Sequence, residues 1–224
     1  DLVCCPSQDT MDDCLRAGFA AERLRLVPWG ATPHPVTDAD RRRVRERYRL
    51  DRPFVLWVGT IEPRKNLPTL LEAFRRIQPT DVDLVLVGPV GWHEQLEGHI
   101  EGIGSKVRQL GFVPAEDLPA LYAEARLFCF PSTREGFGLP ALEAMAQGTP
   151  VIAGAGTAVA EVVGDGGVTI APLDVDAWSE VLVGLLDDEP RRSALGAAAL
   201  VRAGEFTWER CAEQMAAAYH EVGG

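Results

Sequence analysis

The sequence predicts an α/β fold in which a parallel sheet is covered by helices on both faces. Three observations predict it. From residue 54 onward, short apolar runs alternate with longer runs at helical spacing. The short runs are apolar at nearly every position, which a strand needs only when both of its faces are buried. At 224 residues the chain can build one substantial core but hardly two full domains.

Each element follows in order. Phe54 to Val58 reads as a buried strand closed by Gly59. Leu67, Leu70, Leu71, Phe74 and Ile77 then keep helical spacing, with Asn66 placed as N-cap and Pro68 in the first turn. Val82 to Val87 is the second strand, closed by Gly88-Pro89, and a third is expected near Gly111-Phe112-Val113. A helix over Leu118, Leu121 and Tyr122 leads to the fourth strand, Leu127 to Phe130. A loop and a helix from Pro140 to Gln147 precede the fifth, Pro150 to Ala153. A helix from Ala158 to Val163 precedes the sixth, Val168 to Ile170. Right-handed crossovers make such a sheet doubly wound and Rossmann-like, with ligands bound beyond the carboxyl ends of its strands. The loops after Val58, Val87, Val113, Phe130 and Ala153 are therefore where function is sought. Before this domain lie two strand-like pieces, Leu2 to Cys5 and Leu24 to Val27, a helix between them, and a proline-rich stretch at 28–35. The tail from Trp208 to Val222 reads as an amphipathic helix whose apolar stripe needs a cover, from residues 1–35 or from another chain.

Composition narrows the functions. A net charge of −11 argues against general affinity for nucleic acid. One basic stretch, Arg41 to Arg49 with six arginines, reads as a solvated helix face in a connecting segment, with contact to anionic lipid as the other reading. No apolar run approaches the roughly 18 residues that span a bilayer. The start, Asp1-Leu2-Val3-Cys4-Cys5, has no secretory n- and h-region. The five cysteines have no metal-ligand spacing and read as reduced, mostly buried thiols of a cytoplasmic protein. The expected location is the cytoplasm, with membrane contact at most peripheral, at the inner face.

Two loops can carry chemistry. In Glu135-Gly136-Phe137-Gly138-Leu139-Pro140-Ala141-Leu142-Glu143, two carboxylates flank a glycine-bearing loop that opens a helix. Gly136 and Gly138 let backbone approach a ligand, and free amides at a helix start favour an anion. Glu135 and Glu143 would repel phosphate, so their partners are hydroxyls, as in the vicinal diol of a sugar or ribose. Phosphate at the amides with diols on either side describes a nucleotide sugar. Gly59-Thr60-Ile61-Glu62-Pro63-Arg64-Lys65-Asn66 offers two adjacent cations that could clamp a diphosphate. It carries little alone and much if it faces the first loop. Three features compete. Gly154-Ala155-Gly156-Thr157-Ala158-Val159 imitates a dinucleotide fingerprint, but its sixth residue is valine and its strand is late. Asp81-Val82-Asp83 and Asp174-Val175-Asp176 have a spacing that could hold a divalent ion, and both read instead as caps. His34, His93, His99 and His220 share no spacing, and none is given a catalytic role.

Together these residues resemble glycosyltransferase family four, whose members have the two-domain GT-B fold. The likeness rests on Glu135…Glu143 within Pro131 to Ala146, on Val58 to Asn66, on Leu110-Gly111-Phe112-Val113-Pro114 and on Phe206-Thr207-Trp208-Glu209. The resemblance implies that Lys65, helped by Arg64, holds the donor diphosphate. It gives Glu135 the donor-sugar hydroxyls and Glu143 the ribose. Backbone at Gly136, Phe137, Gly138 and Leu139 would line sugar and phosphates, beside Gly59 and Thr60, while Phe112, Val113 and Gly88 would meet the base. Many members carry arginine where this chain has Thr60, a charge that Arg64 would supply here. The Glu62-Pro63-Arg64-Lys65-Asn66 version is similar to that of bacterial mannosyl- and rhamnosyltransferases and favours a GDP-linked hexose over UDP.

The resemblance also implies a retaining transfer with no metal and no other cofactor, to a glycan or lipid-linked acceptor. It divides the chain into 1–35, the end of an N-terminal acceptor domain otherwise missing; 36–50, a linker; 51–205, the nucleotide-sugar-binding domain; and 206–224, the terminal helix. By itself this half is expected to bind donor without turning over. An epimerase acting on sugar nucleotides and a noncatalytic nucleotide-sugar-binding module are the alternatives.

Overall fold

A computed structural model describes residues 1–78, 81–91 and 96–223. Among them, eight strands form two parallel sheets. β1 (Val3–Cys5) pairs with β2 (Leu24–Leu26). The other six are β3 (Phe54–Val58), β4 (Asp83–Val87), β5 (Val107–Gly111), β6 (Leu127–Phe130), β7 (Val151–Gly154) and β8 (Gly167–Ile170), in the order β5-β4-β3-β6-β7-β8. Every ladder in that sheet is parallel. Strand order therefore runs outward in both directions from β3 and β6. At that switch the connections leave to opposite faces and open a crevice beyond the strand ends.

The apolar runs are buried as predicted. Phe54, Val55, Leu56, Trp57, Leu127, Phe128, Cys129 and Phe130 are all fully enclosed. Among the described residues ten helices accompany the strands: α1 (Gln8–Arg16), α2 (Asp38–Tyr48), α3 (Leu67–Ile77), α4 (Glu97–Ile100), α5 (Leu118–Glu124), α6 (Leu139–Ala146), α7 (Ala158–Val163), α8 (Val175–Asp187), α9 (Glu189–Ala203) and α10 (Trp208–Gly223). Among the described residues no helix is long and apolar enough to cross a membrane. All five cysteines are unpaired, with Cys5, Cys129 and Cys211 buried and Cys4 and Cys14 partly so.

Three expectations need correction, and one element was not expected. The third strand ends at Gly111, so Phe112 lies beyond it, 81% exposed, while Val113 turns inward. β5 is an edge strand, and Arg108 and Gln109 break its apolar run because only part of it is covered. Asn66 stands at the start of α3 but caps no N–H. Its backbone is left-handed (φ 52°), and its side-chain amide donates to the carbonyls of Pro131 (3.0 Å) and Pro172 (2.7 Å), tying together the loops after β6 and β8. Asp174 does cap α8, accepting from the Ala177 N–H at 3.0 Å, but Asp83 caps nothing: it opens β4, buried 3.8 Å from Arg52. The helix α9 has no counterpart among the sequence expectations.

The basic stretch is α2, and its arginines are largely spoken for. Arg41 and Arg45 reach Glu124, while Arg43, Arg47 and the Tyr48 hydroxyl converge on Asp117, which is wholly buried at the start of α5. Arg41, Arg43, Arg45 and Arg47 thus clamp one helix to another, and most of the charge expected at a lipid surface is matched by carboxylates of α5 and its start.

The N-terminal piece docks on the same crevice side. Ser7 caps α1, and the Gln8 and Asp9 N–H groups donate to the Glu161 carboxylate of α7 at 2.8 and 2.7 Å. Residues 29–31 cross the start of α10 closely: the Ala31 N–H donates to Phe206 O at 3.1 Å, and a Cβ on Gly30 would lie 2.2 Å from the Trp208 nitrogen. Arg25 of β2 pairs with Glu221. Residues 1–35 therefore touch both ends of the terminal helix. Cys211 and Ala218 are buried there, whereas Trp208, Tyr219 and Val222 remain exposed.

Candidate functional site

The loop after β3 folds back over its own strand ends. The Ile61 N–H donates to Pro89 O, and the Gly91 N–H returns a bond to Ile61 O, both at 2.9 Å, so the loops after β3 and β4 are joined. Gly88 sits where β4 meets Gly59. Its φ is +131°, and a Cβ there would lie 1.9 Å from the Gly59 carbonyl oxygen, so only glycine fits. The Gly88 N–H donates to Gly111 O at 2.8 Å, bringing in the loop after β5 that carries Phe112 and Val113. Thr60 is exposed on this rim. Pro63–Lys65 then makes a single 3₁₀ turn that aims two cations back across the switch.

The loop after β6 meets them. Thr133 donates from its N–H to Arg64 O at 2.9 Å, and the Ser7 and Thr10 hydroxyls hold Gly136 O at 2.8 and 3.0 Å. Phe137 is buried between Trp29 (5.6 Å) and Phe206 (5.9 Å), which anchors the loop by its side chain and leaves its backbone as the part a ligand could meet. Gly138, at φ +103°, lies against Val159, where a Cβ would come within 2.5 Å of Cγ2. Leu139 and Pro140 then start α6.

These loops bring Lys65, Arg64 and Glu135 together from opposite sides of the switch. Lys65 Nζ lies 2.6 Å from one Glu135 oxygen, and Arg64 lies 3.0 Å from the other. Both the Lys65 and the Glu135 side chains are only 8% exposed. Lys65 Nζ also sits 4.8 Å from the centre of the Phe130 ring, a cation–π contact on its inner side. Arg64 bridges further to Glu62 at 2.6 Å. Two cations and two carboxylates are thus balanced in the crevice. Such an arrangement can exchange one of its carboxylates for another anion without leaving the cations unpaired. The sequence assigns Glu62 no part, and nothing in its spacing marks it as the second counter-ion of Arg64.

Glu143 lies elsewhere. It faces a cleft of about 220 Å³ between α5, α6 and residues 30–34, lined also by His34, Leu118, Leu139 and Gln147. Its partner is the Tyr122 hydroxyl, which donates to Oε2 at 2.9 Å. Burial pushes the Glu143 carboxyl above the usual range, and the Tyr122 hydrogen bond and the nearby His34 pull it partly back. Burial, with the carboxylate beside it, pushes the Tyr122 phenol well up, so it remains a neutral donor. Sequence reasoning placed Tyr122 in a helix and His34 in a proline-rich stretch, and gave neither a part. A tyrosine at helical spacing reads as core, and only the packing of α5 on α6 brings it to Glu143. His99 and His220 sit at neither place, while His93 lies outside the described residues. Among the described residues no three His, Cys, Asp or Glu side chains gather as metal ligands would.

The model of the family glycosyl transferases group 1 matches residues 38–202. The chain belongs to that family. It is 43% identical over 173 residues to the O-antigen chain mannosyltransferase B of Escherichia coli, a match covering 74% of this chain and 45% of that protein. It is 34% identical over 231 residues to the MMP alpha-(1->4)-mannosyltransferase of Mycolicibacterium hassiacum, covering 99% of this chain and 54% of the relative. The chain thus spans about half the length of such curated relatives. Among solved structures it resembles Anabaena Alr3699/HepE in complex with UDP and glucose, at a TM-score of 0.90 and 25% identity over 98% of this chain and 63% of that one. Sucrose-phosphate synthase of Thermosynechococcus elongatus superposes at a TM-score of 0.85 and 31% identity, over 99% and 58% of the two chains. The Rossmann-like sheet is the half of a GT-B glycosyltransferase fold that the sequence predicts.

Proposed function

We propose that this chain is the donor-binding half of a retaining, metal-independent glycosyltransferase that moves a hexose from a nucleoside diphosphate to a glycan or lipid-linked acceptor. The observation that carries the reading is the meeting of Lys65 and Arg64 with Glu135 at the switch between β3 and β6, with Glu143 on a cleft wall at the other end of the same loop and helix start. Lys65, Arg64 and the amides from Gly136 to Leu139 would bear the charge that develops on the departing diphosphate, the largest demand of such a reaction. Glu135 would turn to the sugar hydroxyls, Glu143 to the ribose, and the loops at Gly59, Thr60, Gly88, Phe112 and Val113 to the diphosphate and base. GDP is the favoured nucleotide, in keeping with relatives named mannosyltransferases, and the UDP seen in HepE makes UDP the competing outcome.

In this reading residues 1–35 belong to a facing domain, 36–50 to a linker, 51–205 to the donor domain and 206–224 to a returning helix. The facing wall would place the acceptor and exclude water, and positioning of that kind is worth several orders of magnitude in rate. The test is to incubate the purified chain with GDP-, UDP- and ADP-hexoses and acceptors, following nucleotide affinity and product together. Saturable binding without turnover is the expected result. Efficient transfer by this chain alone would refute the half-enzyme reading, and interconversion of the donor sugar would favour an epimerase.

A further inference from the structure

Tyr122 has a position that core packing alone does not require. Its ring is enclosed, edge-on to Phe128 at 5.5 Å, and its backbone carbonyl accepts the Thr149 hydroxyl at 2.7 Å, so neither ring nor backbone is free to shift. A buried phenol needs a hydrogen-bond partner. Here that partner is Glu143, whose Oε2 it meets at 2.9 Å on the wall of the cleft. Glutamate has three rotatable bonds and, in a cleft wall, many ways to point. One fixed donor on one oxygen removes most of them and leaves Oε1 without a hydrogen bond from the described residues.

We infer that Tyr122 is a positioning residue: its hydroxyl holds one oxygen of Glu143 so that the carboxylate presents its remaining lone pairs to the vicinal diol of a ribose in the cleft between α5 and α6. The inference deepens the proposed function and rests on it. A carboxylate aimed in advance accepts two hydroxyls without losing further rotamer freedom, which is how preorganisation adds affinity. The phenol is suited to the task because it is neutral: it occupies one lone pair of Glu143 without cancelling the carboxylate's charge, and leaves the other lone pairs to the diol.

Tyr122→Phe removes one oxygen and keeps the ring in place. With the purified chain, its affinity is measured for three ligands: the preferred ribonucleoside diphosphate, its 2′,3′-dideoxy form, and pyrophosphate. The expected result is a loss of roughly tenfold for the ribonucleotide, the scale of one charge-assisted hydrogen bond, and less than about twofold for the other two. In Tyr122→Phe/Glu143→Gln the losses should fall short of additive, since both changes act on the same aimed carboxylate. Equal weakening of ribo and dideoxy ligands would reduce Tyr122 to a structural residue, and an unchanged ribonucleotide affinity would remove its role altogether. If the unaltered chain binds no nucleoside diphosphate, it is the proposed function that fails, and the two failures are told apart by that control. Should Tyr122→Phe not fold, the hydroxyl proton of Tyr122 is followed by NMR in the unaltered chain. It should shift on addition of ribonucleotide and not of pyrophosphate, and a proton indifferent to both would overturn the inference.

Discussion

Glu135 and Glu143 stand eight residues apart on one loop and helix, yet they occupy opposite electrostatic settings. Glu135 is enclosed between two cations, one of them nearly as buried as itself. Glu143 faces a neutral phenol and a cleft, and burial works against its charge. The difference teaches how one short stretch can treat two ends of a ligand differently. At Glu135 the carboxylate is already matched by charge, so under the proposed function a ligand must bring charge to displace it. At Glu143 it is held by a hydrogen bond with accepting capacity to spare, so uncharged hydroxyls suffice.

The largest effect is expected at the charged end. Lys65→Ala strips a buried carboxylate of one of its two cations, and because Arg64 still holds the other oxygen the cost should stay below the roughly 3–5 kcal/mol of a wholly broken buried pair. Thermal unfolding should show a clear drop, partly recovered in Lys65→Ala/Glu135→Ala, where the half-compensated carboxylate is gone. Affinity for nucleoside diphosphate and for pyrophosphate should fall together, by roughly tenfold to a hundredfold. If Lys65→Ala kept both its stability and its pyrophosphate affinity, the cation pair would not be the phosphate clamp.

A smaller, more selective loss is expected at the other end. Glu143→Gln should weaken ribonucleotide by about tenfold while leaving pyrophosphate nearly untouched. Equal losses for both ligands would erase the distinction between the two glutamates.

How much of this was legible in the sequence follows from range. Phe54 to Val58 and Leu127 to Phe130 announced themselves because a strand buried on both faces is apolar at every position. Val107–Gly111 did not, because an edge strand can carry Arg108 and Gln109 where it meets water and the carbonyls of Tyr48 and Arg49. Lys65, Arg64 and Glu135 were singled out from local chemistry, and the fold brings them into contact. Tyr122, Glu62 and the pairing of the α2 arginines depend on which helix or loop packs on which. Spacing along the chain carries no record of that. Asn66 shows the same limit, since its identity fitted a cap while its amide serves two distant carbonyls.

Acidity should sharpen the contrast. Because burial raises the Glu143 carboxyl, protonation begins at a pH above the usual glutamate range near 4.5. A protonated carboxyl accepts less, so ribonucleotide affinity should decline as pH falls through that raised value, and Glu143→Gln should flatten the decline. The linked stability has the opposite sign. A carboxyl raised in the folded state binds its proton more tightly there than when unfolded, so its contribution weakens as pH rises through the window between the two values. A wild-type affinity profile identical to that of Glu143→Gln would contradict this account. The smallest effect is expected from chelation. With Asp174 spent on a cap and Asp83 buried in β4, EDTA should leave nucleotide affinity unchanged, and a large loss would expose a metal-dependent site.

The most direct test of the division between the two glutamates is a calorimetric titration of the purified chain and of Lys65→Ala and Glu143→Gln with nucleoside diphosphate, GDP first, and with pyrophosphate. The account predicts saturable binding of both ligands by the unaltered chain, loss of both in Lys65→Ala, and loss of the nucleotide's advantage over pyrophosphate in Glu143→Gln. Absence of saturable nucleoside diphosphate binding, or a Glu143→Gln protein that still prefers the nucleotide as strongly as before, would contradict it.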